Sequence, residues 1–223
     1  MHESEQIEAR SWFDFVLPAA LVLAAIVTLG SLFNYFALDE ATKDLDAGSE
    51  ASFNNWITVA AAFAAAVASG LHAIAFKRRR GAFVALTAML AFLSLDDSLL
   101  LHERLGGKIG VDHIETVIFA PLYFAVLLIV LGLARETFPR AAKHLRLGVS
   151  LLVAAVVIDL GSSITQNLQE DGTVWPQVTR IAIEEGFEVA GWVALSTSLL
   201  IMVSVALIEA GAGAASDHFP RSE

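Results

Sequence analysis

The sequence contains no cysteine, and this absence limits the chemistry open to it. Disulfide bonds, thiolate metal ligands and a cysteine nucleophile are all excluded. Charged residues are also scarce, at 17% of the chain, whereas 56% of the residues are hydrophobic. That hydrophobic share exceeds the one found in an ordinary soluble domain, and the apolar residues come in long blocks with charged segments between them. The pattern is typical of a protein that crosses a bilayer several times.

A basic leader is missing as well. Glu3, Glu5 and Glu8 precede Arg10, the first basic residue, whereas a cleaved secretory signal would begin with positive charge. We therefore expect a short cytoplasmic lead into an uncleaved first span. The sequence carries no recognisable soluble domain, solenoid repeat or nucleic-acid-binding motif, and its basic segments are typical of topology signals.

The apolar blocks predict an all-α fold, a polytopic bundle of six transmembrane helices that forms one domain over residues 1–223. The second span is rich in alanine, which allows close helix approach in lipid, so we expect it to pack in the bundle interior. The predicted spans cover residues 12–38, 56–76, 81–101, 114–134, 147–168 and 179–208.

The distribution of lysine and arginine predicts the orientation of these spans. Alternate loops place ten of the basic residues on one side and four on the other, and the richer side is expected to be cytoplasmic. This puts both termini in the cytoplasm of a bacterial inner membrane. The four residues of the poorer side are Lys43, Arg104, Lys108 and Arg180.

The third span ends in charged residues that it needs in order to cross the membrane. Gly81 to Leu95 gives 15 uncharged residues, which as a helix cover about 22 Å of a hydrocarbon core about 30 Å thick. Asp96 and Asp97 must therefore lie at depth. Carboxylates in such positions are costly, usually face the bundle interior, and are functional candidates.

Further acidic residues gather on the same, outward side of the predicted bundle. His102 and Glu103 follow the third span, and Glu184, Glu185 and Glu188 begin the sixth. Asp159 follows 12 uncharged residues of the fifth span and is expected to be the deepest charge. Polar residues recur at helical spacing in five spans, and Gly191 continues the stripe of Glu184 and Glu188, where it would leave room. The stripes predict one acidic cavity that opens outward.

A divalent metal ion would neutralise such a cluster. Oxygen donors with one or two imidazoles favour iron, manganese or calcium ahead of zinc. The expected ligands are Asp96, His102, Glu103, Glu184 and Glu188. The remaining acids, Asp97, Glu185 and Asp159, would orient ligands or accept a proton in an enzyme acting on a lipid-like substrate.

Other interpretations use the same residues. Val189 to Ile208 provides 20 uncharged residues, so the glutamates before it could simply end the span at the water interface. His102 and Glu103 could begin an ordinary loop. Titratable carboxylates at depth also suit a proton- or ion-coupled transporter or channel, although no internal repeat typical of carriers is present. The chain could equally be a non-catalytic subunit of a larger membrane complex, or a homo-oligomer.

Two motifs carry a resemblance to a known group. Leu95-Asp96-Asp97 with His102-Glu103, and Glu184-Glu185 with Glu188, resemble motifs of uncharacterised bacterial multi-spanning membrane proteins. The resemblance rests on about eight positions and implies an inner-membrane protein without an assigned activity. A membrane hydrolase of the ceramidase type would need a His-x-x-x-His pair, which the sequence lacks.

Overall fold

A computed structural model gives the fold of the chain. The structure describes the backbone of residues 3–38, 42–45, 52–99, 114–134, 139–166 and 174–217. It describes the side chains of residues 14–38, 42, 44–45, 52–99, 121–133, 141–159 and 178–208.

Six α-helices and one short 3-10 helix make up the described part of the chain, which contains no strand. The helices are α1 (Glu3–Leu38), α2 (Phe53–Ala75), α3 (Arg80–Leu99), α4 (Ile114–Ala134), α5 (Pro139–Gln166) and α6 (Val174–Asp217), with the 3-10 helix at Lys43–Leu45 after α1. The predicted all-α class is confirmed.

Five of the helices are long and apolar enough to cross a membrane, so the chain is a multi-pass membrane protein. Their apolar parts are Asp14–Leu38, Phe53–Ala75, Arg80–Leu99, Ala141–Asp159 and Val178–Ile208, and α4 adds a shorter apolar stretch at Pro121–Leu133. Large apolar side chains such as Phe15, Ile74 and Phe124 point outward, as lipid-facing positions require.

Two helices begin before the spans predicted within them. The fifth span was predicted from residue 147, and α5 begins at Pro139, with Ala141, Ala142 and Leu145 buried. Alanine, lysine, leucine and arginine are all strong helix formers, and proline is favoured at the first helical position. The basic segment therefore belongs to the helix. The sixth helix likewise begins at Val174 and not at 179.

The long helix α6 occupies the middle of the bundle, where it packs against α1, α2 and α5. α2 and α3 form a hairpin, and α4 contacts α3 and α5. The alanine-rich face of α2 is buried, as expected: Ala61, Ala62, Ala65, Ala66 and Ala68 all lie in the core. Trp192 of α6 is the largest fully buried side chain of the described part.

Small residues let α6 approach its neighbours closely. A Cβ atom at Gly191 would lie 2.7 Å from Leu152 Cγ of α5, and one at Gly148 would lie 3.0 Å from the backbone nitrogen of Leu195. Gly186 faces Thr28 of α1, whose hydroxyl donates a hydrogen bond to the Ala182 carbonyl at 3.0 Å. The room expected beside Gly191 is therefore filled by α5 and does not extend the acidic cavity.

Candidate functional site

Helix α3 ends, and α4 and α6 begin, at one end of the bundle. We call this end the acidic end. Asp96 is buried there, with 3% of its surface exposed, and its neighbour Asp97 is half-buried. Leu95 and Leu99 on the other face of α3 are exposed. The helix thus directs one aspartate into the bundle, because successive residues lie about 100° apart around a helix.

Side chains from three helices meet around Tyr123 of α4. The Tyr123 phenol interacts electrostatically with Asp97 and Asp96 of α3 and with Glu188 of α6. We call Asp96, Asp97, Tyr123 and Glu188 the acidic cluster. Glu188 lies 14 residues into α6, and α4 packs against α3 while its Tyr123 ring lies beside Trp192 of α6. The position of the cluster is therefore set by helix packing and not by a loop.

Trp192 fixes Glu188 within this cluster. Its indole Nε1 donates a hydrogen bond to Glu188 Oε1 at 3.2 Å, and its ring centroid lies 6.3 Å from that of Tyr123. Because Trp192 is fully buried, its ring has little freedom to turn, and the carboxylate that it binds is held in place. Sequence reasoning missed Trp192, although its position one helical turn after Glu188 was a usable signal.

A second set of charges lies next to the cluster. Arg180 of α6 pairs with Glu184 one turn further along at 2.9 Å and with Asp159 of α5 at 3.6 Å. We call Asp159, Arg180 and Glu184 the arginine group. Glu184 also interacts electrostatically with Glu188, so the arginine group and the acidic cluster are coupled along one face of α6. The sequence pattern indicated Arg180 only as a topology signal.

The depth of Asp159 in the membrane stays a prediction. Its side chain is 57% exposed, and helix α5 continues past it to Gln166. Asp96, by contrast, is buried within the bundle, with 3% of its surface exposed.

The polar stripe of α1 does not join the acidic cluster. Thr28 bonds to the Ala182 carbonyl of α6, and the Asn34 side-chain oxygen accepts a hydrogen bond from the Thr42 backbone nitrogen at 3.1 Å. Both side chains tie α1 to its neighbours. His72 on α2 has a comparable packing role, because its ring lies against Phe83 with the centroids 3.8 Å apart.

The metal-ligand set remains a prediction. His102 and Glu103 lie outside the described residues, and so does His113. Within the part of the chain that is described, no group of three or more His, Asp or Glu side chains is arranged to hold a metal ion. Glu184 already has Arg180 as its cation. Glu185 is half-buried on α6, at the position after Glu184.

Comparison with known proteins identifies a family but no activity. A family model described as a domain of unknown function, DUF8692, matches residues 15–203. No curated protein matches the chain, and no solved structure does so either.

Proposed function

The chain belongs to this family of unknown function, and we propose from its site that it is a proton- or ion-coupled membrane transporter or channel. One observation carries the proposal: coupled ionisable side chains form a continuous series from a buried carboxylate to an exposed one. The series runs through Asp96, Tyr123, Glu188, Glu184, Arg180 and Asp159.

The two ends of the series differ in exposure in the way that a route for protons requires. Asp96 is 3% exposed, whereas Asp159 is 57% exposed. Ionisable groups within membrane spans commonly mark proton relays. In this proposal a proton is taken up at the arginine group, passes from Glu184 to Glu188, and reaches Asp96 by way of the Tyr123 hydroxyl, which can both accept and donate.

The orientation of this route rests on charge distribution. The positive-inside rule favours a cytoplasmic location for the basic loops and for both termini, so the acidic end would face outward across a bacterial inner membrane. Protons or cations would then be taken up from the outer compartment.

Proton flux in reconstituted vesicles tests the proposal. Wild-type protein is expected to carry protons down an imposed pH gradient, as followed with an enclosed pH-sensitive dye. Asp96→Asn and Glu188→Gln each remove a titratable group from the series and should reduce the flux to that of protein-free vesicles. Asp44→Asn is the matched control, because Asp44 is an exposed acid in the 3-10 helix after α1 and is not part of the series. Absence of flux in the wild type, or equal loss in all three variants, would contradict the proposal.

A metal-binding function is the second candidate, and it needs ligands beyond the acidic cluster, because no described group of three or more His, Asp or Glu side chains is arranged to hold a metal ion. Asp96, Asp97, Glu188 and Tyr123 offer oxygen donors of the type that iron, manganese and calcium prefer. His102 and Glu103 would have to complete the set. Bound metal could polarise a lipid-like substrate, with Asp97, Glu185 or Asp159 as proton acceptors. Stoichiometric metal in the purified wild type that is lost in Asp96→Asn, without proton flux, would select this function over transport.

A further inference from the structure

Two buried polar side chains on α2 have atoms without a hydrogen-bond partner. Asn54 and Thr58 are 3% and 4% exposed, and within the described part of the chain neither Asn54 Nδ2 nor Thr58 Oγ1 has a partner. The residues are four apart and therefore share one face of the helix. Leaving a buried polar atom without a hydrogen bond is destabilising. A ligand on this face would supply the partners that the described residues do not.

The packing of α2 against α3 places this face beside the buried aspartate. The Ser94 hydroxyl of α3 donates to the Val59 carbonyl of α2 at 3.1 Å, which fixes the register of the hairpin. Because the two helices run in opposite directions, Thr58 lies at a level between Ser94 and Asp96. Both Thr58 and Asp96 are buried, so both side chains face the interior of the bundle in the same layer.

The other helix that packs on α2 is α6, which carries Glu188. The helices that pack on α2 thus carry the acidic side chains Asp96 and Glu188, whereas α2 itself carries the Asn54 amide and the Thr58 hydroxyl. An anion would be repelled by the carboxylates, and a bare cation would leave the Asn54 amide without an acceptor. A cation with surrounding water molecules meets both requirements, since the waters bound to it donate hydrogen bonds to oxygen atoms and a water beyond them has an oxygen free to accept from the amide.

We propose that Asn54 and Thr58 of α2, together with Asp96 of α3, form a binding pocket for a small hydrated cation, reached by water from the acidic end. The waters bound to the ion donate to the Thr58 hydroxyl oxygen and to Asp96, a further water accepts from Asn54 Nδ2, and Asp96 balances the charge. This proposal rests on the proposed function in one respect: a hydrated cation is the species that the transporter or channel takes up at this pocket.

The absence of cysteine makes substituted-cysteine labelling a direct test. Thr58→Cys and Asn54→Cys are exposed, in separate samples at low ionic strength, to two methanethiosulfonates of similar size, one bearing trimethylammonium and one bearing sulfonate. Reaction from the acidic end is expected for at least one variant. The cationic reagent should react at least about tenfold faster, because a cleft of one charge sign concentrates counter-ions. Adding Asp96→Asn should reduce this preference.

Ser69→Cys is the matched control. Ser69 lies eleven residues further along α2 on the same face, is fully buried, and also has an unpartnered hydroxyl, but its neighbours on the helix are mostly alanines. It should react with neither reagent in the folded protein and with both after denaturation. The proposal is overturned if Thr58→Cys and Asn54→Cys are as unreactive as Ser69→Cys, or if the sulfonate reacts as fast. Labelling without proton flux would support the pocket and contradict transport. Proton flux without labelling would support transport and contradict the pocket.

Discussion

Replacing Arg180 by methionine is expected to lower the free energy of unfolding by about 3 kcal/mol. Breaking a buried ion pair by removing one partner costs about 3–5 kcal/mol, and a value at the low end applies because the Arg180 and Glu184 side chains are 22% and 19% exposed. The loss arises mainly at Glu184, which is left beside Glu188 without its cation. Reversible unfolding in detergent, followed by circular dichroism, measures the change.

A second variant separates the ion pair from general damage to α6. Changing Arg180 and Glu184 to methionine together removes both charges, so much of the lost stability should return. Arg146→Met, an exposed position on α5, should change stability by no more than about 0.5 kcal/mol. An equal loss in Arg180→Met and Arg146→Met, or no recovery in the double variant, would show that the ion pairs of the arginine group do not form.

Trp192→Ala is expected to destabilise the protein by about 3–5 kcal/mol, because it empties a buried site the size of an indole. It also removes the donor that holds Glu188. Trp192→Phe keeps most of the volume and loses the donor, so it should cost about 1–3 kcal/mol. Thermal or denaturant unfolding in detergent provides the comparison.

Trp56→Ala is the control for the same residue type, because Trp56 is 66% exposed. It should cost less than about 1 kcal/mol. If Trp192→Ala were no more harmful than Trp56→Ala, Trp192 would not be a core residue. If Trp192→Phe matched wild type in both stability and proton flux, the hydrogen bond to Glu188 would have no part in positioning the carboxylate.

The fold class could be predicted from the sequence because a helix is the usual way for a long apolar block to satisfy its backbone in a bilayer. Asp96 could be recognised as a candidate, since 15 uncharged residues from Gly81 to Leu95 fall short of a bilayer's thickness, and its side chain is buried. The start of α5 could not be predicted in the same way, because the basic segment before Leu147 has a helical tendency of its own. A charged segment can end a span or continue its helix, and only the packing of Ala141 and Leu145 decides between them.

Other features of the site depend on which helices are neighbours, and periodicity does not reveal this. Arg180 and Asp159 are 21 positions apart in the sequence and meet only because α5 packs on α6. Asn54 and Thr58 resemble ordinary polar residues at the start of a helix, and they become notable once burial leaves their atoms without partners. A hairpin register set by Ser94 and Val59 likewise has no signature in composition.

The central claim is that side chains of α3, α4 and α6 meet in one cluster, and cross-linking across α4 and α6 tests it most directly. The Tyr123→Cys/Trp192→Cys pair should be joined by a short bifunctional thiol reagent, because the two rings lie 6.3 Å apart. Phe124→Cys/Trp192→Cys is the control, since Phe124 follows Tyr123 but is 61% exposed. Intact mass should show one linker and no free thiol in the first pair only. Equal linking in both pairs, or linking in the control alone, would contradict the claim.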